Sequence, residues 1–200
     1  RSVLGIRPLL WKNGWPVAGE VFKEGTYEIE SERRGYALEL AVDFVRMEYT
    51  RHRFWEKDDT PVVPLKSQML EDVIETWPQG KINVRIGDYM FRPHQKWTIT
   101  AVPDGGGYLG GPYYKIVIEG TNRALAATAD AEVVTVPEFT GAPEQLWRID
   151  QLTDGTYRIM PKEVPGTDKE LVLVSVGDST PSLGEFDMNS DNSKWNFRDH

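Results

Sequence analysis

Two short patterns recur along this chain in strict alternation, and they constrain its fold more than any other feature. Tyr27-Glu28-Ile29, Tyr114-Lys115-Ile116 and Tyr157-Arg158-Ile159 share the form Tyr-x-Ile. Trp97-Thr98-Ile99, Trp147-Arg148-Ile149 and Trp195-Asn196-Phe197 share the form Trp-x-apolar. Residues two apart lie on one face of a strand, so each pattern marks a strand with one buried side. Residues 145–159 show how the two connect: Trp147 and Ile149 alternate with polar neighbours, Asp154-Gly155 supplies a turn, and Tyr157 and Ile159 resume the alternation. Three copies of each, in alternating order, make an internal threefold repeat.

The spacings refine this. Tyr27 to Leu38 and Tyr114 to Leu125 are both 11 residues, and Tyr157 to Leu171 is 14, with Pro165-Gly166 lengthening the loop. The tryptophans are 50 and 48 residues apart, which suits four short strands plus turns per unit. Tyr-to-Trp distances of 70, 33 and 38 place an insertion in the first repeat, over about residues 41–80. Within it, Met69, Leu70, Val73, Ile74 and Trp77 have helical spacing, with Ser67 as N-cap and Pro78 as stop. Val73-Ile74 suits a strand equally well. Ile82, Val84 and Ile86 then alternate as a strand.

Composition agrees with an all-β chain. Thirteen Pro and eighteen Gly punctuate short apolar runs. A net charge of −8, with both signs interspersed, leaves no basic face for nucleic acid and no patch for a membrane surface. No apolar run approaches the ~20 residues that cross a bilayer. Cysteine is absent, so there is no disulfide framework and thiols say nothing of compartment. The sequence opens at Arg1, and we expect a piece of a longer protein.

Two of the tryptophans stand in Gln-x-Trp, as Gln95-Lys96-Trp97 and Gln145-Leu146-Trp147, and the third departs as Ser193-Lys194-Trp195. Three such units resemble the ricin-B-type β-trefoil, over residues 25–199. The resemblance implies an all-β trefoil module over 21–200, with repeats at about 25–100, 112–150 and 155–199. A β-sandwich is the alternative, but it gives no reason for the threefold recurrence. The resemblance also implies that Trp97, Trp147 and Trp195 are core and that the glutamines satisfy buried backbone groups.

Sugar sites in that family use an acidic residue just after the Leu strand, a later aromatic platform and an Asn before Gln-x-Trp. By this resemblance Glu39 and His94 stand at two of these positions in repeat one. Repeat two has Ala126 and Glu144. Repeat three has Asn192 and the platform Phe186, with Val172 or Val174 at the acidic position. No repeat is complete, and the expected carbohydrate-binding residues are Glu39, His94, Phe186 and Asn192. Trp55, Trp77, Tyr89 and Tyr108 are further aromatics that either offer a platform or fix the inserted segment.

Residues 1–20 carry Leu9-Leu10-Trp11, the hairpin dipeptide Asn13-Gly14 and Trp15-Pro16-Val17. This hairpin resembles the last strands of the five-bladed propeller in glycoside hydrolase family 43 enzymes of the arabinanase kind. The resemblance implies a non-catalytic, extracytoplasmic accessory module behind an upstream glycosidase catalytic domain. Its partner would be a polysaccharide or oligosaccharide, arabinan or a related plant glycan. The alternative is a structural buttress that binds no sugar.

Other motifs fail on their chemistry. Gly105 to Gly110 matches G-x-G-x-x-G, but a strand follows where a phosphate-binding helix is required, so it reads as a flexible linker between repeats. Asp187 to Asp191 resembles a calcium loop, but Asn192 and Arg198 stand where Gly and a bidentate Glu belong, which leaves a turn. His52, His94 and His200 have no metal-ligand spacing. No pair of carboxylates and no nucleophile motif is singled out, so neither a catalytic residue, nor a metal, nor a cofactor is expected.

Overall fold

The structure, a computed structural model, describes residues 9–12, 15–18, 21–33, 36–42, 45–47, 69–71, 73–108, 111–177 and 179–199. The chain divides into two compact units, one of residues 1–41 and 78–200 and the other of residues 42–77.

In the larger unit, β1 (Leu9–Lys12) and β2 (Trp15–Ala18) form an antiparallel hairpin with Lys12 opposite Trp15. Repeat one begins with β3 (Gly25–Ser31) and β4 (Ala37–Leu40). The smaller unit interrupts it. There β5 (Val45–Met47) pairs antiparallel with β6 (Met69–Glu71), and a 3-10 turn follows at Ile74–Thr76. The helix expected from Lys66 to Trp77 is therefore not formed in its described part. Val73 is extended (φ −107°, ψ 105°), as suits a β-branched residue next to another. Ser67, Trp55 and His52 lie outside the described residues, as do the side chains of β1, β2 and Tyr108.

Repeat one resumes with β7 (Ile82–Gly87) and β8 (Trp97–Tyr108). Repeat two comprises β9 (Gly111–Ile118), β10 (Ala124–Ala127), β11 (Val133–Val136) and β12 (Trp147–Gln151). Repeat three comprises β13 (Tyr157–Pro161), β14 (Val172–Val176), β15 (Thr180–Gly184) and β16 (Trp195–Asp199). The first strand of each repeat pairs with the last strand of its own repeat and with the last strand of the repeat before it. The order β3-β16-β13-β12-β9-β8 then returns to β3, which closes a six-stranded barrel. In every repeat the Tyr of the first pattern is the Cα partner of the Trp of the second: Tyr27 with Trp97, Tyr114 with Trp147, Tyr157 with Trp195.

The middle strands of each repeat form a hairpin, and the three hairpins are joined pairwise. Thr135 Oγ1 donates to Ile82 O, Leu183 N to Ala131 O and Ile86 N to Ser179 O, at 3.1, 2.8 and 2.9 Å. A closed barrel with a three-hairpin layer is a β-trefoil, and the threefold sequence pattern is the reason for it. The inward faces supply Ile29, Leu38, Ile99, Ile116, Leu125, Ile159 and the three tryptophans, all fully buried. Phe22 packs its ring against Tyr27, Tyr114, Tyr157 and Phe197 at centroid distances of 4.5–6.0 Å, touching the first strand of every repeat. Tyr114 Oη accepts from Phe22 N at 2.7 Å and donates to Phe22 O at 3.2 Å.

The described part of the glycine run expected to be a flexible linker, Gly105 to Tyr108, is instead strand, the end of β8. β8 and β9 pair through Val102↔Tyr113, shift register, and pair again at Gly107↔Pro112. Lys162 Nζ donates to Gly105 O at 2.7 Å and holds the arm from repeat three. Repeated glycine here serves a bulged strand, because it has no Cβ to clash across the pair.

Candidate functional site

One hydrogen bond aligns the repeats residue by residue. Trp97 Nε1 donates to Leu38 O, Trp147 Nε1 to Leu125 O and Trp195 Nε1 to Leu173 O, at 2.8, 3.0 and 2.8 Å. The third equivalent leucine is therefore Leu173, 16 residues after Tyr157, and not Leu171. The longer turn at Val164–Thr167 accounts for the difference. The residues that follow these leucines are Glu39, Ala126 and Val174, which settles the acidic position of repeat three as Val174.

Each tryptophan is preceded by a 3-10 turn, Pro93–Gln95, Pro143–Gln145 and Asp191–Ser193. The glutamines hold the loop upstream. Gln95 Oε1 accepts from Met90 N at 2.9 Å and its Nε2 donates to Asp88 O at 2.7 Å, while Gln145 Oε1 accepts from Thr140 N at 2.7 Å. In repeat three the shorter Ser193 donates its hydroxyl to Asp187 O at 3.1 Å instead. Each of these loops also carries a phenylalanine: Phe91, Phe139 and Phe186, lying 6, 8 and 9 residues before the tryptophan. Reading the sequence singles out only Phe186. The recurrence is visible once the loops are anchored on the tryptophans.

Repeat one brings Glu39 and His94 together, and it closes them off. Glu39 is 2% exposed and His94 0%. His94 Nε2 stands 3.0 Å from Glu39 Oε2, Gln95 Nε2 donates to the same oxygen at 2.7 Å, and Arg85 Nε donates to Glu39 Oε1 at 2.5 Å. Since a carboxylate only accepts, His94 carries its proton on Nε2. Burial works to raise the Glu39 pKa, but the hydrogen bonds from His94, Arg85 and Gln95 outweigh it and hold the group below its ordinary value. Gly87 lies under the carboxylate, and a Cβ there would stand 2.5 Å from Glu39 Oε1. Both carboxylate oxygens are engaged by the protein itself. The arrangement braces β4, β7 and the 3-10 turn against one another.

Repeat two has no such chemistry at these positions. Ala126 faces Val134 across β10 and β11, and both are buried.

Repeat three is open. Val174 to Gly177, Gly184, Glu185, Asp187, Ser190, Asn192 and Ser193 line a hollow of about 260 Å3. Asn192 is exposed in that lining, and its backbone N donates to Ser190 Oγ at 3.3 Å. Asp187 makes the turn expected of it, accepting from Asn189 N at Oδ1 and from Ser190 N at its carbonyl, at 2.9 and 3.1 Å. Phe186 is half-buried, with the Arg158 guanidinium 4.9 Å from its ring centroid. Arg158 is held in turn by Asp150 at 2.7 Å. The four expected residues therefore fall into three places: Glu39 with His94 in a closed polar cluster, Asn192 in the lining of an open hollow, and Phe186 under the Arg158 guanidinium, outside that lining. Among the described residues no group of three or more His, Asp or Glu converges to hold a metal ion.

Residues 93–181 match the family model described as "Ricin-type beta-trefoil lectin domain-like". No curated protein matches the chain by sequence. Among solved structures, the designed 3-fold symmetric protein ThreeFoil aligns with a TM-score of 0.58 at 19% identity, over 88% of this chain and 99% of that one. The Polyporus squamosus lectin, solved bound to a human-type influenza-binding epitope, aligns at 0.57 and 16% identity over 89% of this chain and 50% of that one. An exo-beta-1,3-galactanase from Clostridium thermocellum aligns at 0.54 and 15% identity over 92% and 32%. This chain thus spans half of the lectin and about a third of the galactanase. At these identities the likeness shows the β-trefoil fold.

Proposed function

We propose that the chain is a non-catalytic carbohydrate-binding module of a polysaccharide-degrading glycosidase, acting outside the cytoplasm on arabinan or a related plant glycan. The observation that carries this reading is the open hollow of repeat three. There Asn192, Glu185 and Asp187 bring an amide and two carboxylates to the lining of one hollow. Amides and carboxylates bind vicinal hydroxyl groups, and an aromatic ring takes the apolar face of a sugar. The family-model match supports the ligand class. The hairpin resemblance and the galactanase likeness support the place behind a glycosidase domain. A weak site suffices for such a role, because linkage to the enzyme raises the effective concentration of substrate at the catalytic site.

Affinity electrophoresis in arabinan, xylan and galactan gels tests the reading. Retardation in one gel is expected, reduced in Asn192→Ala and Phe186→Ala and retained in Glu39→Gln. Unretarded migration of the parent protein in every gel overturns it.

One observation favours the second reading, a structural buttress. Phe22 stands just after the N-terminal hairpin, and both its backbone polar groups are bonded to Tyr114. A segment fixed in this way transmits the position of whatever precedes it. Loss of thermal stability in a neighbouring catalytic domain on removal of this module, together with no glycan binding, would select the buttress.

A further inference from the structure

We propose that the groove where repeats one and two meet is a second saccharide site, separate from the hollow of repeat three. This rests on the carbohydrate-binding reading above and adds a position to it. The floor is the outer face of the β8–β9 pair, where Thr98 faces Val117 and Thr100 faces Lys115, while Trp97, Ile99, Ile116 and Ile118 point into the core. One wall is the turn Gly120–Asn122 and the other is Glu138–Phe139, around a groove of about 560 Å3. That volume lies within the range of small-ligand sites, roughly 300–1,000 Å3.

Both walls are held before any ligand arrives. Phe139 N donates to Asn122 O at 3.1 Å and joins one wall to the other. Thr121 Oγ1 donates to Ile118 O at 2.9 Å and accepts from Arg123 N at 3.1 Å, fixing the turn. Thr140 N, next to Phe139, is held by Gln145. Binding therefore costs little ordering of the chain.

The chemistry of the lining suits a neutral oligosaccharide. The Thr100 hydroxyl, the Thr98 hydroxyl that Thr26 Oγ1 holds at 3.1 Å, the exposed Asn122 amide and the Glu138 carboxylate can bond sugar hydroxyls around the Phe139 ring. Lys115 Nζ stands 5.5 Å from that ring's centroid and offsets Glu138, so no single ionic sign is selected. The equivalent place between repeats two and three differs. Its floor carries Arg148 and Arg158, each paired with Asp150 at 2.7 Å. The floor between repeats three and one is charged as well, with Arg198 Nη2 2.9 Å from Glu30 Oε1, so the hydroxyl-lined floor belongs to the junction of repeats one and two.

The test compares the parent protein, Asn192→Ala, the pair Asn122→Ala with Phe139→Leu, and the triple variant, each checked for an unchanged unfolding midpoint. Affinity electrophoresis would use arabinan, xylan and galactan. The expected result is residual retardation in either partial variant and none in the triple, each partial loss being on the order of tenfold in the binding constant. If the Asn122→Ala, Phe139→Leu pair migrates as the parent while Asn192→Ala alone abolishes retardation, the second site is wrong and the carbohydrate reading stands. If the parent itself is never retarded, the carbohydrate reading fails and takes this site with it.

Discussion

Trp147 donates its indole Nε1–H to the carbonyl oxygen of Leu125 at 3.0 Å, 22 residues back in the chain. Trp195 reaches Leu173 over the same separation, whereas Trp97 reaches Leu38 over 59. The geometry is conserved within the molecule while the chain between the partners grows by a whole inserted unit. The bond thus defines the repeat better than its length does, and it explains why Trp and not Phe recurs at a site that is already fully apolar.

Replacing Trp147 by Phe should remove that bond with a smaller loss of core volume than alanine brings. The ring is largely retained, but Leu125 O is left buried without its donor, at a cost of about 1–3 kcal/mol. Trp147→Ala also empties a large core volume and should cost about 3–5 kcal/mol. Urea unfolding would measure both, and a Trp147→Phe midpoint equal to the parent's would show that the indole N–H contributes nothing.

Glu39 should make stability depend on acid. Its folded pKa is held below the ordinary value of 4.5, so the unfolded chain binds the proton more readily. The contribution is complete above that value and is lost as pH falls through the folded pKa. Stability measured between pH 5 and pH 3 should therefore fall more steeply in the parent than in Glu39→Gln. That variant should also be the less stable one at pH 7, since His94 then lacks a charged acceptor in a buried place.

Gly87→Ala should disturb the same cluster from below. A Cβ placed 2.5 Å from Glu39 Oε1 forces the carboxylate to move away from Arg85, His94 and Gln95. A loss of about 1–3 kcal/mol is expected. Combining it with Glu39→Ala should be far less than additive, because the atom it strikes is gone.

Asp154 should titrate at about 2, held there first by the Thr156 hydroxyl and then by Lys194. Thr156 donates from Oγ1 at 2.6 Å and from N at 3.0 Å, and Lys194 Nζ stands 2.9 Å away. An NMR titration of the carboxyl should show a larger upward shift in Thr156→Val than in Lys194→Met. The Lys194 share alone should shrink with added salt, since Asp154 is 44% exposed.

Phe22→Ala should cost about 3–5 kcal/mol although the residue precedes the first repeat. The ring is 9% exposed and touches aromatic residues of all three repeats. Thermal unfolding indistinguishable from the parent would mean that the barrel end closes without it.

The recurring Tyr-x-Ile and Trp-x-apolar patterns, taken alone, determined that the chain is all-β and threefold, because period-two burial and equal spacing are properties of local sequence. The Tyr-to-Trp distance of 70 residues in the first repeat, against 33 and 38 in the others, is likewise a property of the sequence alone. Tertiary structure decided what distance along the chain hides. Spacing pointed to Leu171, whereas the indole hydrogen bond selects Leu173. Glu39 and His94, 55 residues apart, meet at 3.0 Å, yet Arg85 and Gln95 converge on the same carboxylate, which is buried. Sequence carries the residue types that can bond. Which bonds the protein keeps for itself, and which it leaves facing solvent at Asn192 and Asn122, depends on how strands and loops remote in the chain are brought together in space.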